Sequence, residues 1–291
     1  MPLSALGLVM VAACLHATWN LWLKKAQAPG IAFIWCSSTA AFLAYAPIVL
    51  WLYGQDIGRL NHGQWIAVLA SGVLHIAYFF CLQRGYAAAD LSIVYPVARG
   101  VGPLLAALAA MLWLDEPPSL LSVSGLALIV SGTFTIAGGW ALARGGWSAR
   151  VRHGLGWGAL TGMFIAAYTV NDGRAVKLLA VAPLLLDWLA NGFRGLALIP
   201  VTPARIRQTR DTIRTAWRPI AGVALVSPLA YILVLEAMKM APVSHVAPAR
   251  ELSMLIAAFL GARLLNEGDF RRRIAGAALI AGGVVCLAAA S

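Results

Sequence analysis

Ten apolar runs separated by short polar stretches divide the chain, at about 3–23, 31–53, 64–84, 90–113, 118–139, 153–171, 178–201, 219–238, 243–265 and 273–290. A bilayer core needs about 20 apolar residues per helix, so each run predicts one transmembrane helix and little is left for a soluble domain. Pro96 and Pro103 fall inside one run. Prolines there would damage a soluble helix, whereas in a bundle neighbouring helices satisfy the freed backbone groups. The predicted fold class is all-α integral membrane, with ten transmembrane helices.

The same runs repeat. "ARGVGPLLAALAAMLWLDE" (98–116) aligns without gaps on "ARELSMLIAAFLGARLLNE" (249–267), 151 positions later, matching Arg99 with Arg250 and Glu116 with Glu267. At the same offset "GLALIVSG" (125–132) falls on "GAALIAGG" (276–283). Ala77-Tyr78 matches Ala230-Tyr231, and Trp19 matches Tyr168, at nearly the same spacing. Residues 1–140 and 153–291 therefore read as duplicate five-helix repeats. Five is odd, so the second copy enters the membrane upside down. Inverted repeats of this kind build carriers whose cargo site lies near the midplane between the halves.

Composition agrees: 61% of residues are hydrophobic, 11% are charged, and the mean hydropathy is +0.80. A formal charge of +11 raises the question of nucleic acid, but the basic residues are scattered between apolar runs rather than gathered in one stripe, so no nucleic-acid partner is expected. Odd-numbered loops carry Lys24, Lys25, Arg84, Arg144, Arg150, Arg152, Arg205, Arg207, Arg210, Arg214, Arg218 and Arg271 to Arg273; even-numbered loops carry Arg59, Arg174, Lys177 and Lys239. Cytoplasmic loops carry the excess of Lys and Arg, which puts both termini outside. The Arg-rich stretch 205–218 reads as a solvated loop. Cys14, Cys36, Cys81 and Cys286 lie far apart in apolar runs and read as buried thiols, with no metal or disulfide framework. Val11-Ala12-Ala13-Cys14 resembles a lipoprotein cleavage box, but no basic residue precedes it, so the first helix is expected to stay uncleaved.

Several of these residues together resemble the EamA-type transporters of the drug/metabolite transporter superfamily. The resemblance covers the whole chain. It rests on the paired five-helix halves, on Trp19 and Tyr168 late in the first helix of each, and on a Pro-containing fourth helix ending in Leu-x-Glu (Leu114 to Glu116) with Leu265 to Glu267 as its twin. The strings "LHATWN" (15–20) and "VYPVARG" (94–100) further resemble a subset associated with phosphonate utilisation. The resemblance implies a ten-helix carrier of amino acids, organic anions or similar metabolites, often an exporter, with a central cavity between the third, fourth, eighth and ninth helices. It also implies cytoplasmic termini, against the charge count.

An ionisable residue at the bilayer centre costs about 2.5–3.5 kcal/mol on insertion scales, so each is a site candidate. Ser92, Tyr95 and Arg99 share one face of the fourth helix, with small residues beyond, and Arg250 occupies the equivalent place in the ninth. Guanidinium forks match carboxylate and phosphate oxygens and stay charged, so two near one axis favour an anionic or zwitterionic cargo. Pairing with Glu251 or Asp187 is the structural alternative. Asp187, Asn191 and Arg194 line another face. His16, Trp19 and Asn20 form an arc on the first helix, Ser71, His75 and Tyr78 one on the third, and Tyr168 and Tyr231 are their second-half counterparts. Aromatic walls with polar tips suit amphipathic metabolites. Asp187 and Glu251 are the candidates for proton coupling.

No nucleotide-binding loop, His-Glu-x-x-His or Ser/His/Asp arrangement is present, so neither an enzyme nor a cofactor is expected. The expected function is secondary transport of a small polar metabolite across the bacterial cytoplasmic (inner) membrane, one half rocking against the other, by a monomer or homodimer. A lipid-linked substrate flippase and a broad-specificity cation or drug exporter are the alternatives.

Overall fold

In the computed structural model, which describes residues 1–26, 30–89, 91–136, 148–200, 202–256 and 270–290, the apolar runs fold as helices and no strand occurs among those residues. The helices are α1 (Leu3–Ala26), α2 (Ile31–Ile57), α3 (His62–Ala88), α4 (Leu91–Trp113), α5 (Leu120–Ile136), α6 (Ala149–Lys177), α7 (Pro183–Ala197), α8 (Pro203–Met240), α9 (Val243–Ala249) and α10 (Phe270–Ala289). Five of them, α1 to α4 and α8, contain a segment long and apolar enough to cross a membrane. Among the described residues the other helices carry no such segment: α6 is diluted by glycines and polar residues, α5 has 17 residues, α7 has 15 and α9 has 7.

Caps set boundaries that run length alone misplaces. Asn61 and Gln64 exchange side-chain and backbone hydrogen bonds at 2.9 Å, a capping box that starts α3. The Ser148 hydroxyl accepts from the Val151 N–H at 3.3 Å and opens α6, which runs to Lys177, past the expected end at 171. Thr202 accepts from the Arg205 N–H, and Pro203 supplies a first-turn position where its missing N–H costs nothing. The Arg-rich stretch is therefore helical, a correction to the expected loop. It joins the eighth apolar run across a kink at Ala216 (φ −128°, ψ 22°), just before Pro219.

The polarity of the molecule is inside out. Leu43, Leu50, Trp51, Ile66, Leu112 and Val123 are exposed, while Asp172, Asp187, Asn191 and Glu251 are buried. In water this would be costly; in lipid it is the arrangement that hides polar groups from hydrocarbon.

The two copies pack reciprocally. α1 lies against α8, and their counterparts α6 and α3 lie against each other; α5 lies against α10. At the last contact a methyl group on Gly132 would come 2.6 Å from the carbonyl oxygen of Gly276, and one on Gly125 would come 2.8 Å from that of Gly283. Gly276 and Gly283 are the duplicates of Gly125 and Gly132, so each glycine touches the twin of the other and the helices run antiparallel. Close backbone approach through small residues is how apolar helices gain contact in lipid.

Glu116, just beyond α4, joins the copies a second time. Its Oε1 accepts from Lys177 Nζ and from the Val243 N–H, both at 2.7 Å, and its Oε2 accepts from the Ser244 N–H at 2.8 Å. It caps α9 rather than closing its own helix, where Asp115 takes a left-handed turn (φ 52°). Burial pushes the Glu116 carboxyl up, but the Lys177 ammonium and the two amides outweigh it and hold the group below its usual range. Glu267 lies outside the described residues.

Candidate functional site

The backbone of the ninth run prepares the site. Pro248 has no N–H to give, and just after it the hydrogen bonds shorten: the Arg250 N–H still reaches Val246, but Glu251 N–H donates to Pro248, Ser253 N–H to Arg250 and Met254 N–H to Glu251, the i−3 pattern. α9 ends at Ala249, so Arg250 and Glu251 stand at a break in the run rather than inside a regular helix. Such tightened stretches mark hinges and ligand sites in helices.

Glu251 answers Arg99. Arg99 Nη2 lies 2.9 Å from Glu251 Oε2, with side chains 16% and 3% exposed, and it also donates to Ser253 Oγ at 3.3 Å. Arg99 Nε is buried without a hydrogen-bond partner, so the guanidinium fork is only partly used. Arg250 places its Cζ 5.4 Å from the centroid of the Tyr231 ring, a cation–π contact. His16 lies within the electrostatic reach of both guanidiniums, and Tyr95 and Tyr78 within that of Arg99.

An aromatic wall faces these cations. His75 stacks on Tyr168 with centroids 4.1 Å apart and planes 22° apart, and meets Tyr231 edge-on at 5.6 Å. Tyr78 meets Tyr168 at 5.9 Å. His75 Nδ1 is 2.8 Å from the Ser71 carbonyl, which fixes the ring. Pairs with edge and offset geometry gain about 0.5–1.5 kcal/mol beyond their buried area.

Behind the wall lies a second polar group that the sequence reading missed. Asp172, fully buried, accepts from Ser71 Oγ at 2.9 Å and from the Tyr231 hydroxyl at 2.6 Å on Oδ2, and from Asn171 Nδ2 at 2.8 Å on Oδ1. Asn171 also ties α6 to the Ala67 carbonyl of α3 at 2.9 Å. Two signals hid this carboxylate. The sixth run was expected to stop at 171, and its place in the first repeat carries no acid, so a search for matched polar positions passes over it. Arg174 and Lys177, basic residues where a helix C-terminus favours them, are the clue that could have extended the helix.

Asp187, Asn191 and Arg194 are all buried on α7. Asn191 Nδ2 donates to Asp187 Oδ2 at 2.9 Å, and Arg194 Nε donates to the Ala190 carbonyl at 3.3 Å. Arg194 lies within electrostatic reach of Asp187, Asp172, Tyr168 and Tyr231, which connects this face to the wall.

On α1, His16 joins the cations and meets the Trp19 ring edge-on at 4.8 Å, while Trp19 itself packs with Phe33, Cys36 and Ile220 between α1, α2 and α8, and the Asn20 amide is spent on the His16 carbonyl at 2.7 Å. Trp19 and Asn20 are not brought to the wall. The side chain of Ser92 lies outside the described residues. Among the described residues, no group of three His, Cys, Asp or Glu side chains could hold a metal ion.

The sequence matches the EamA-like transporter family twice, over residues 3–138 and again over residues 152–289. A crystal structure of another protein is similar in fold, with a TM-score of 0.76 over 99% of both chains at 16% identity. No curated protein matches the chain.

Proposed function

Since the chain belongs to the EamA-like transporter family, it is a multi-pass membrane transporter, and we propose that it carries a small anionic or zwitterionic metabolite by alternating access. The observation that carries this reading is the placement of Arg99 and Arg250, duplicates of each other, beside one aromatic wall, with Arg250 held by a ring face and Arg99 Nε unpartnered. A carboxylate or phosphonate has the oxygens such forks bind. Among the described residues, the polar groups around the wall include three guanidiniums (Arg99, Arg194, Arg250) and three carboxyls (Asp172, Asp187, Glu251). A cargo carrying both signs of charge leaves that balance intact, which favours amino acids and aminophosphonates over dianions. The ten spans, the inverted orientation of the two five-helix repeats (1–140 and 153–291) and the bacterial inner membrane belong to the same proposal. Reciprocal antiparallel packing of α5 on α10 supports the inversion.

A cation exporter is the second reading, because ring faces next to buried carboxylates also suit organic cations. Thermal-shift screening of purified protein against amino acids, phosphonates and organic cations separates the two. Stabilisation by amino acids or phosphonates, and loss of their uptake into reconstituted vesicles in folded Arg99→Ala protein, is the expected result. Stabilisation by cations alone, or normal uptake by the variant, overturns it.

A further inference from the structure

The three buried carboxyls differ in what a proton would do to their partners. Glu251 lies 2.9 Å from the Arg99 guanidinium, so protonating it strands a buried cation. Asp187 is bonded to the Asn191 amide nitrogen, a group that only donates. Asp172 is different. Two hydroxyls, Ser71 and Tyr231, meet on its Oδ2, and among the described residues it makes no ion pair. A hydroxyl has lone pairs as well as a proton, so either one can turn round and accept when the carboxyl becomes an acid. The site thus takes a proton without stranding a buried charge or facing the new acid proton with a group that can only donate.

We propose that Asp172, held between the Ser71 and Tyr231 hydroxyls, is a reversible proton-binding site that sets the charge of the cargo layer. The proton is taken from water and adds to Oδ2, one hydroxyl turns its own hydrogen away and accepts the new acid proton, and no covalent bond of the protein breaks. The groups around Asp172 come from every side: Ser71 on α3, Asn171 on α6, Arg194 and Asp187 on α7, and Tyr231 on α8, with the His75 and Tyr168 rings against the Tyr231 ring, Arg250 over that ring and Arg99 within electrostatic reach of Tyr168. With Asp172 neutral, the three guanidiniums outnumber the two remaining carboxylates and the layer attracts an anion. With Asp172 ionised, that excess disappears. Proton and anion then favour each other's binding, by the reciprocity that any coupling free energy obeys. Tyr231 joins the two sites directly, its hydroxyl on Asp172 and its ring under Arg250.

This inference rests on the carrier reading above, but its test needs no cargo. Infrared difference spectra of the whole protein in lipid vesicles, taken as pH is stepped, report a buried carboxylic acid carbonyl directly. The expected result is a band that rises on acidification, is lost in Asp172→Asn, and survives in Asp187→Asn and Glu251→Gln. Tyr231→Phe and Ser71→Ala should each shift its frequency, which keeps the test decisive if Asp172→Asn does not fold. A band that persists in Asp172→Asn, one indifferent to both hydroxyl deletions, or none in the wild-type protein overturns the proposal. A cation carrier would fail the cargo screen and still show the band, so the two failures are distinguishable.

Discussion

Glu116 and Lys177 come from opposite copies of the duplication and meet at 2.7 Å, with two backbone amides of α9 on the same carboxylate. Its folded pKa is depressed, so the carboxylate stabilises the fold fully above its unfolded value of about 4.3 and progressively less as pH falls through the folded value. Glu116→Gln should lower stability at neutral pH by about 2 kcal/mol, the order expected for charge-assisted hydrogen bonds. It should also flatten the acid limb of a thermal-melt profile against pH. An unchanged acid limb counts against the clamp.

The α5–α10 seam has no room for a methyl group. Gly132→Ala would place a carbon 2.6 Å from the Gly276 carbonyl oxygen, and Gly276→Ala one 2.7 Å from that of Gly132. Each should cost about 1–3 kcal/mol, as overpacking usually does. Gly7, with nothing within 4 Å of a built methyl, is the control, and Gly7→Ala should be neutral or mildly stabilising in the same melts.

Pro248 creates the break that sets Arg250 and Glu251. Pro248→Ala should extend the regular helix and stabilise the protein by about 1–3 kcal/mol, since proline is the worst residue for a helix interior. Stabilisation by the cargo compound found in screening should shrink at the same time. A variant that gains stability and keeps its full ligand response shows that the break serves packing alone.

His75→Phe keeps a flat ring against Tyr168 and removes the nitrogen bonded to the Ser71 carbonyl. The fold should survive, and uptake in vesicles should fall by roughly tenfold, the equivalent of one hydrogen bond of about 1.4 kcal/mol. Equal uptake by both proteins would reduce His75 to a wall element.

Duplication was the most legible feature of the sequence, because matched Arg, Glu, Gly and Tyr positions are discrete signals that lipid-facing drift does not erase. Helix ends were less legible. Ser148, Thr202 and the Asn61–Gln64 box decide them through single hydrogen bonds, while the run lengths respond only to average hydropathy. That is why α3, α6 and α8 begin before the apolar runs they contain. The pairing of Arg99 with Glu251 was among the open alternatives, since spacing along one helix says nothing about which neighbour arrives across the bundle. Asp172 escaped altogether: it has no twin.

What was copied in this gene is not what can move as a unit. The first helix of each half is packed on the third helix of the other, α1 on α8 and α6 on α3, so the ancestral modules are interlaced like clasped fingers. Swinging one half as a block would tear both contacts. Under the alternating access proposed above, the moving bodies are then hybrids, each assembled from helices of both lineages, rather than the two halves on either side of residue 150.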